Sequence, residues 1–367
     1  MIAASEPVQR PPDARLLIAD ESGHIIERPR SALLDFLCPG DLVVANDAAT
    51  LPASLSGIHV PTGIAIEVRL AGRRSLAPQE VSEFSAIVFG SGDFRTRTEQ
   101  RPLPPALSPG DSIRLGPLSA SVASLLEHPR LIVLRFHGSA DAIWAGIARH
   151  GRPIQYAHVL VPLALWDVWT PIAGPPVAFE PPSAGFALDW QTVTAMRAKE
   201  INFFTITHAA GISSTGDPDL DRRLPFDEPY RIPDATVTAI LNTKARRGRI
   251  VAVGTTVVRA LEYSARQGEI QAGENVATQR IGVNTRLHVV NAVLSGTHEP
   301  GTSHYELLRA FVDDALLNRI NRQLDAGAYR THEFGDSVLI ARSKLDIVPE
   351  KLSQRQKRGL AHSPMFA

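Results

Sequence analysis

The chain has 367 residues with 38 Lys+Arg against 38 Asp+Glu, so its formal net charge is zero and no global basic field exists to drive unspecific nucleic-acid binding. An RNA-directed role therefore has to rest on where a few arginines are placed. The single cysteine, Cys38, excludes an internal disulfide and a cysteine-rich zinc site, and no run reaches the roughly 18 consecutive apolar residues of a membrane span.

The length suits a large core and about two domains, and the first residues lack the basic-then-apolar pattern of a signal peptide, which reads as a cytoplasmic globular protein. Residues 1–14 are rich in proline and polar side chains and read as loosely held. A hairpin follows, with its turn at Glu21-Ser22-Gly23, and then a short helix over residues 31–36. Cys38 precedes the turn Pro39-Gly40-Asp41 and reads as a small buried thiol. Leu42-Val43-Val44-Ala45 is a buried strand ending at Asn46 and Asp47, which serve either a site or only the turn. Over residues 64–137 the pattern changes to short alternating runs, such as Ala65-Ile66-Glu67-Val68-Arg69-Leu70 and Ser112-Ile113-Arg114-Leu115, cut by Gly, Pro and Ser. Several short strands at that spacing predict a small β-barrel or sandwich. Residues 102–110 carry four prolines and form a stiff connection within it.

After Gly138 longer elements return, interrupted by a proline-rich passage over residues 171–185. Asp189 caps a helix that runs to about Lys199 and leads into a strand over residues 201–206, with His208 in the Gly/Ser-rich loop beyond. A helix over residues 235–246 places Lys244 and Arg246 at its negative C-terminus. A strand is expected over residues 287–290. One long helix is expected over residues 305–324, burying Leu307, Leu308, Phe311, Ala315 and Leu316. Strands alternating with helices imply an α/β domain.

Residues 249–262 are the most informative stretch. Ile250, Val251, Ala252 and Val253 form an apolar run, Gly254 turns the chain, and Val257, Val258 and Leu261 recur at helical spacing. Thr255 or Thr256 is the expected cap, leaving other N–H groups to face an anionic or electron-rich ligand. Arg259 and Glu262 lie three apart on one side of this helix, as a site pair or as an ordinary surface ion pair. His208 is read as a general base or ribose contact, or equally as a structural histidine at a strand end. His298 with His304 suggests a metal pair, but no further ligand pattern supports it and no metal is expected. Asp336, after Gly335, either orients a base or bonds its own backbone in a turn.

Taken in order, several motifs resemble the S-adenosylmethionine:tRNA ribosyltransferase-isomerase family of queuosine biosynthesis. They are Pro39-Gly40-Asp41-Leu42-Val43-Val44-Ala45-Asn46-Asp47, then Leu51-Pro52-Ala53 with Leu55, and Pro182-Ser183-Ala184-Gly185. Thr207-His208 and Glu228 follow, and then Val253-Gly254-Thr255-Thr256-Val257-Val258-Arg259-Ala260-Leu261-Glu262, the family's most specific motif. Thr297-His298-Glu299-Pro300 with Gly301-Thr302-Ser303 comes next, and Tyr329-Arg330 with Phe334-Gly335-Asp336-Ser337-Val338-Leu339-Ile340 closes the series.

The resemblance implies an α/β-barrel-like main domain over residues 1–63 and 138–345, an inserted small β-barrel over residues 64–137, and a tail over residues 346–367. It implies that the ribosyl part of S-adenosylmethionine passes to a 7-deazaguanine base in tRNA with release of adenine and methionine. S-adenosylmethionine is then a consumed substrate and no cofactor is needed. Such chemistry requires a base for a proton beside the sulfonium, hydrogen bonds to the ribose, and a donor for the leaving adenine. The catalytic residues it points to are His208, Glu228, Arg259 and Asp336; Glu228 by itself reads only as a solvated loop carboxylate. The binding residues are Asn46, Asp47, Ser183, Ala184, Gly185, Gly254, Thr255, Thr256, Glu262 and His298. The partners are S-adenosylmethionine and tRNA, with no membrane, for a monomer or weak homo-oligomer.

The chain departs from the family at polar positions. Phe186-Ala187-Leu188-Asp189 stands where Leu-His-Phe-Thr is expected, Ala48-Ala49 where Thr-Arg is, and Ser54 where a second arginine is. His208-Ala209-Ala210-Gly211 replaces a His-Val-Gly-x-Gly loop. These changes leave two alternatives open: a diverged paralogue with an adenosyl ligand and a non-tRNA acceptor, or a non-catalytic binding protein.

Overall fold

The strand Leu42–Asn46 is buried along its whole length and lies fourth in the order of a nine-stranded mixed sheet. Leu42 and Val44 enter one apolar cluster and Val43 and Ala45 another, so both faces of the strand are covered and it reads as one apolar run. Its parallel neighbours are Asn202–His208 and Ile250–Val253, and Ala292–Gly296 runs parallel to the latter. These four strands finish on one side of the sheet, where open α/β sheets collect ligands. Helices Asp234–Ala245, Thr255–Ser264 and Asp314–Ala326 contribute Ile240, Val257 and Leu317 to the first cluster; Trp190–Ala198 contributes Met196 to the second. The computed structural model describes residues 1–342, and the tail expected over residues 346–367 lies outside the described residues.

The fold is mixed α/β with a closed six-stranded β-barrel. The barrel-like body expected for the main part is a coarse description, because its sheet has two ends, the strands Gly273–Ala277 and Ile25–Pro29. The closed barrel runs Leu118–His128, Leu131–Phe136, Glu83–Phe89, Ile64–Gly72, Ser54–His59, Ser112–Leu115. It takes in Ser54–His59, which lies ahead of the expected 64–137 span. That strand closes the barrel by pairing Ile58 with Arg114 and His59 with Ile113. A Cβ at Gly57 would stand 2.1 Å from the Arg114 carbonyl oxygen, so glycine is what allows this approach. Ser54, Ser56 and Gly57 also blur the apolar alternation that would announce a strand.

Four local expectations are corrected. Residues 287–290 are not a strand: Glu262 accepts from the N–H groups of His288 at 2.6 Å, Val289 at 2.9 Å and Val290 at 2.8 Å, and the strand is Ala292–Gly296. The long helix is two, Ser303–Leu308 and Asp314–Ala326, because Asp313 accepts from the Leu316 N–H and starts a new helix. The second helix therefore buries Leu317, Ile320 and Leu324 and leaves Ala315 exposed. The N-terminal residues are held: Ile2–Ala3 pairs with Arg330–Thr331, and the Gln9 amide donates to the carbonyls of Trp166, Asp167 and Trp169. Cys38 is exposed rather than buried, with its sulfur 3.7 Å from Arg249 Nη2.

Glu262 thus replaces a ladder with one carboxylate. Glu262→Gln keeps one acceptor oxygen and leaves at least one buried N–H unpaired, so the expected loss is about 1 to 3 kcal/mol. A shifted urea midpoint at unchanged m-value is the measurement, and an unshifted midpoint would refute the assignment.

Candidate active site

A cavity of about 300 Å³ opens at the carboxyl ends of the parallel strands. Its wall takes Ser183 and Ala184 from the turn after Pro182, Glu228 from the strand Glu228–Ile232, and Gly254, Thr255, Thr256 and Arg259 from the start of a helix, with His298 beyond the last parallel strand. These sequence-predicted residues are brought together. Asn46, Asp47, Gly185, His208, Glu262 and Asp336 do not line the cavity.

Four of these, Asn46, Asp47, His208 and Asp336, are engaged in holding strands and chain segments in place. The Asn46 amide donates to the His208 carbonyl and accepts from the His208 N–H, both at 2.9 Å, which locks two strand ends together. Asp47 accepts from the hydroxyls of Thr205 at 2.9 Å and Thr207 at 2.7 Å. Asp336 accepts from the N–H groups of Arg15 and Arg330 and from both guanidiniums, a clamp between chain segments. His208 is the buried last residue of its strand rather than part of a loop. Its ring lies parallel to Tyr230, and its Nε2 stands 3.5 Å from Glu228 without a hydrogen bond. Burial is the main force that lowers it to about 4, so it is neutral at physiological pH.

Arg259 and Glu262 are not a surface pair. Both are buried, and Arg259 binds Glu228 on the neighbouring strand through Nη1. Its other donors reach the carbonyls of Gln279 at 2.9 Å and of Phe226 and Ala277 at 2.8 Å. Glu228 also accepts from the Gly211 N–H, so it is a fixed carboxylate on the wall, not a solvated one. Neither threonine caps the helix: Gly254 is the cap, at φ 98°, a conformation that favours glycine. Thr255 Oγ1 lies 2.9 Å from His304 Nδ1, and Thr256 Oγ1 receives the Asn46 amide at 3.4 Å. The first N–H groups of this helix are left without a side-chain cap at the cavity.

The cavity also holds groups that the sequence did not single out. Glu180 accepts from the Tyr156 hydroxyl and, at 3.0 Å, from the Ser213 N–H. Burial pushes its carboxyl up to about 7, and the nearby charge of Glu333 adds to the rise. Glu333 moves the other way: burial alone would raise it, but the His158 hydrogen bond and the charges of His158 and His332 hold it below the usual value. One carboxyl therefore titrates near neutrality while its neighbour stays ionised, the condition for separate acid and base roles. Local sequence offers little to find them: Glu180 only precedes the Pro181-Pro182 turn, and Glu333 only follows His332.

The rings of His298 and His304 stack at 4.6 Å, and those of His158 and His332 at 4.2 Å. Partial desolvation is the main force that lowers His298, His304 and the more exposed His332, so they present neutral imidazoles to the cavity. Among the described residues no group of three or more His, Cys, Asp or Glu can hold a metal ion. No helix among them is long and apolar enough to cross a membrane.

A family model described as queuosine biosynthesis protein matches residues 1–340. The S-adenosylmethionine:tRNA ribosyltransferase-isomerase of Sorangium cellulosum is 32% identical over 364 residues, covering 92% of this chain and 95% of its own. The protein of the same name from Synechococcus elongatus is 30% identical over 341 residues, covering 89% of each. The crystal structure of an S-adenosylmethionine tRNA ribosyltransferase from Thermotoga maritima covers 92% of this chain and 96% of its own, at 23% identity and a TM-score of 0.49. The match to the family model runs over nearly all the described residues and includes every wall of the cavity, and the chain belongs to the S-adenosylmethionine:tRNA ribosyltransferase-isomerase family of queuosine biosynthesis.

Proposed function

We propose that the chain transfers and isomerises the ribosyl part of S-adenosylmethionine onto the aminomethyl group of a 7-deazaguanine base in tRNA, giving epoxyqueuosine with release of adenine and methionine. One observation carries this reading: the helix start at Gly254 opens into the same cavity as two carboxyls, the buried Glu180 and the half-buried Glu333, whose protonation is pushed apart. The sulfonium is a cation and is favoured beside the ionised Glu333 and the fixed Glu228. Glu333 is the acceptor for the proton beside the sulfonium, and Glu180 is the donor to the departing adenine. Uncapped N–H groups at Thr255 and Thr256 receive ribose or carboxylate oxygens. Arg259 positions Glu228 rather than touching the substrate.

Incubation with labelled S-adenosylmethionine and tRNA carrying the deazaguanine base is expected to release adenine. No release under conditions where the Sorangium relative turns over would reject the proposal. A second reading, the same pocket with an acceptor other than tRNA, is favoured by Ala48 and Ala49, which are buried where the family carries Thr-Arg. Binding of S-adenosylmethionine without binding of tRNA would select it.

A further inference from the structure

A second cavity, of about 540 Å³, forms a groove between the barrel and the main sheet, and none of the chemistry above uses it. Four arginines line it, Arg73, Arg74, Arg223 and Arg280, against the carboxylates Glu83 and Asp227. Glu83 is already held by Arg135, whose Nε donates to it at 2.8 Å from outside the groove. The chain as a whole is neutral, so this surplus of cations is a matter of placement. Arg280 and Pro225 line both this groove and the central cavity, so the two lie side by side.

Arg73 places a buried positive charge beneath the groove, its guanidinium carbon 6.0 Å from the ring centroids of Phe84 and Trp144. It is only 5% exposed, and its Nη2 donates to the Ala77 carbonyl at 2.8 Å. Its Nε and Nη1 are buried and find no partner among the described residues. A buried charge of this kind acts on a ligand through its field, and exposed guanidiniums supply the planar fork of N–H donors that suits a carboxylate or a phosphate. Arg74 and Arg280 are exposed and Arg223 is half-buried, so cations extend from the groove to the rim of the cavity. A row of spaced cations beside a pocket suits a chain of phosphates better than a single anion.

We propose that this groove binds the sugar-phosphate backbone of an RNA strand next to the nucleotide whose base enters the central cavity. The inference rests on the tRNA reading above and adds the surface that selects a polynucleotide over a free base. Arg74, Arg223 and Arg280 take successive phosphates, and the buried charge of Arg73 adds to the field beneath them.

The test measures binding of labelled tRNA by fluorescence anisotropy at several salt concentrations, for the unaltered chain and for an Arg74→Ala/Arg223→Ala double variant. Neither arginine lines the central cavity, so S-adenosylmethionine affinity by calorimetry is expected to stay unchanged and reports correct folding. The variant is expected to bind tRNA roughly tenfold more weakly at low salt, with the slope of log affinity against log salt reduced by roughly one unit per arginine. Equal tRNA affinity and equal slope in both proteins would overturn the groove and leave the proposed reaction standing. Binding of S-adenosylmethionine with no tRNA binding by the unaltered chain would overturn both. Groove-dependent tRNA binding without S-adenosylmethionine binding would uphold the groove and sink the reaction. Poly-glutamate bound as tightly as tRNA at the groove would also overturn it, since phosphate geometry would then play no part.

Discussion

Arg259→Ala is expected to lower the unfolding free energy by about 3 to 5 kcal/mol, because it strips the cation from a buried pair and leaves Glu228 charged in a low-dielectric wall. The side chains of the pair are 5% and 7% exposed, so solvent cannot take over. The substitution also frees the carbonyls of Gln279, Phe226 and Ala277. Arg259→Lys retains the charge but cannot supply the fork to these acceptors, and is expected to fall between. Adding Glu228→Gln to Arg259→Ala should recover part of the loss, since the neutral side chain still accepts from the Gly211 N–H without a buried charge. Urea unfolding of the single and double variants gives the coupling directly. A loss below about 1 kcal/mol in Arg259→Ala would show that the pair is not the fixed wall described here.

Glu180→Gln is expected to remove a stability term that depends on pH. The folded carboxyl titrates at about 7 and its reference value is 4.5, so between these values the folded chain holds a proton that the unfolded chain has released. Stability from Glu180 is therefore full below about 4.5 and is lost as pH rises through about 7, by roughly 3 kcal/mol in all. The depressed histidines act in the opposite sense. His208 is depressed from 6.5 to about 4, so its contribution is present above 6.5 and is lost as pH falls toward 4, and His298, His304 and His332 shift the same way. The difference between the unaltered chain and Glu180→Gln cancels the histidines and isolates the carboxyl. The variant should gain relative stability on going from acid to mildly alkaline solution, measured by urea midpoints across that range. Adenine release should lose its dependence on a group titrating near neutrality. Parallel stability curves for the two proteins would sink the assignment.

Much of the main body was legible along the chain. The apolar run at Leu42, the Asp189-capped helix, the helix Asp234–Ala245 and the Ile250–Val253 strand followed by its helix all occur where their periodicity predicts, although the last helix is capped by Gly254 and not by a threonine. Short alternating runs announced the barrel, but Ser54–His59 escaped because Gly57 and two serines meet the needs of barrel closure and not of apolar patterning. Residues 287–290 looked like a strand because hydrophobicity reports burial, and burial here comes with backbone donors held by Glu262, a partner distant in sequence. The site divides in the same way. Gly254, Thr255, Thr256, Glu228 and Arg259 were found from motif order and do line the cavity, whereas Asn46, Asp47, His208 and Asp336 sit behind it, holding strand ends and segments in place.

Order and spacing along the chain were enough for the α/β class, the presence of a barrel and membership of the family, because these depend on local periodicity and on residues adjacent in sequence. Protonation and charge placement depend on distance in space. Tyr156, Glu180 and Glu333 meet only where separate chain segments converge, and burial there moves Glu180 toward neutrality. Arg73 and Arg280 become part of one cationic groove only because the barrel is set against the sheet. A neutral composition conceals such a groove, since net charge is a sum over the chain while recognition is decided by the local field.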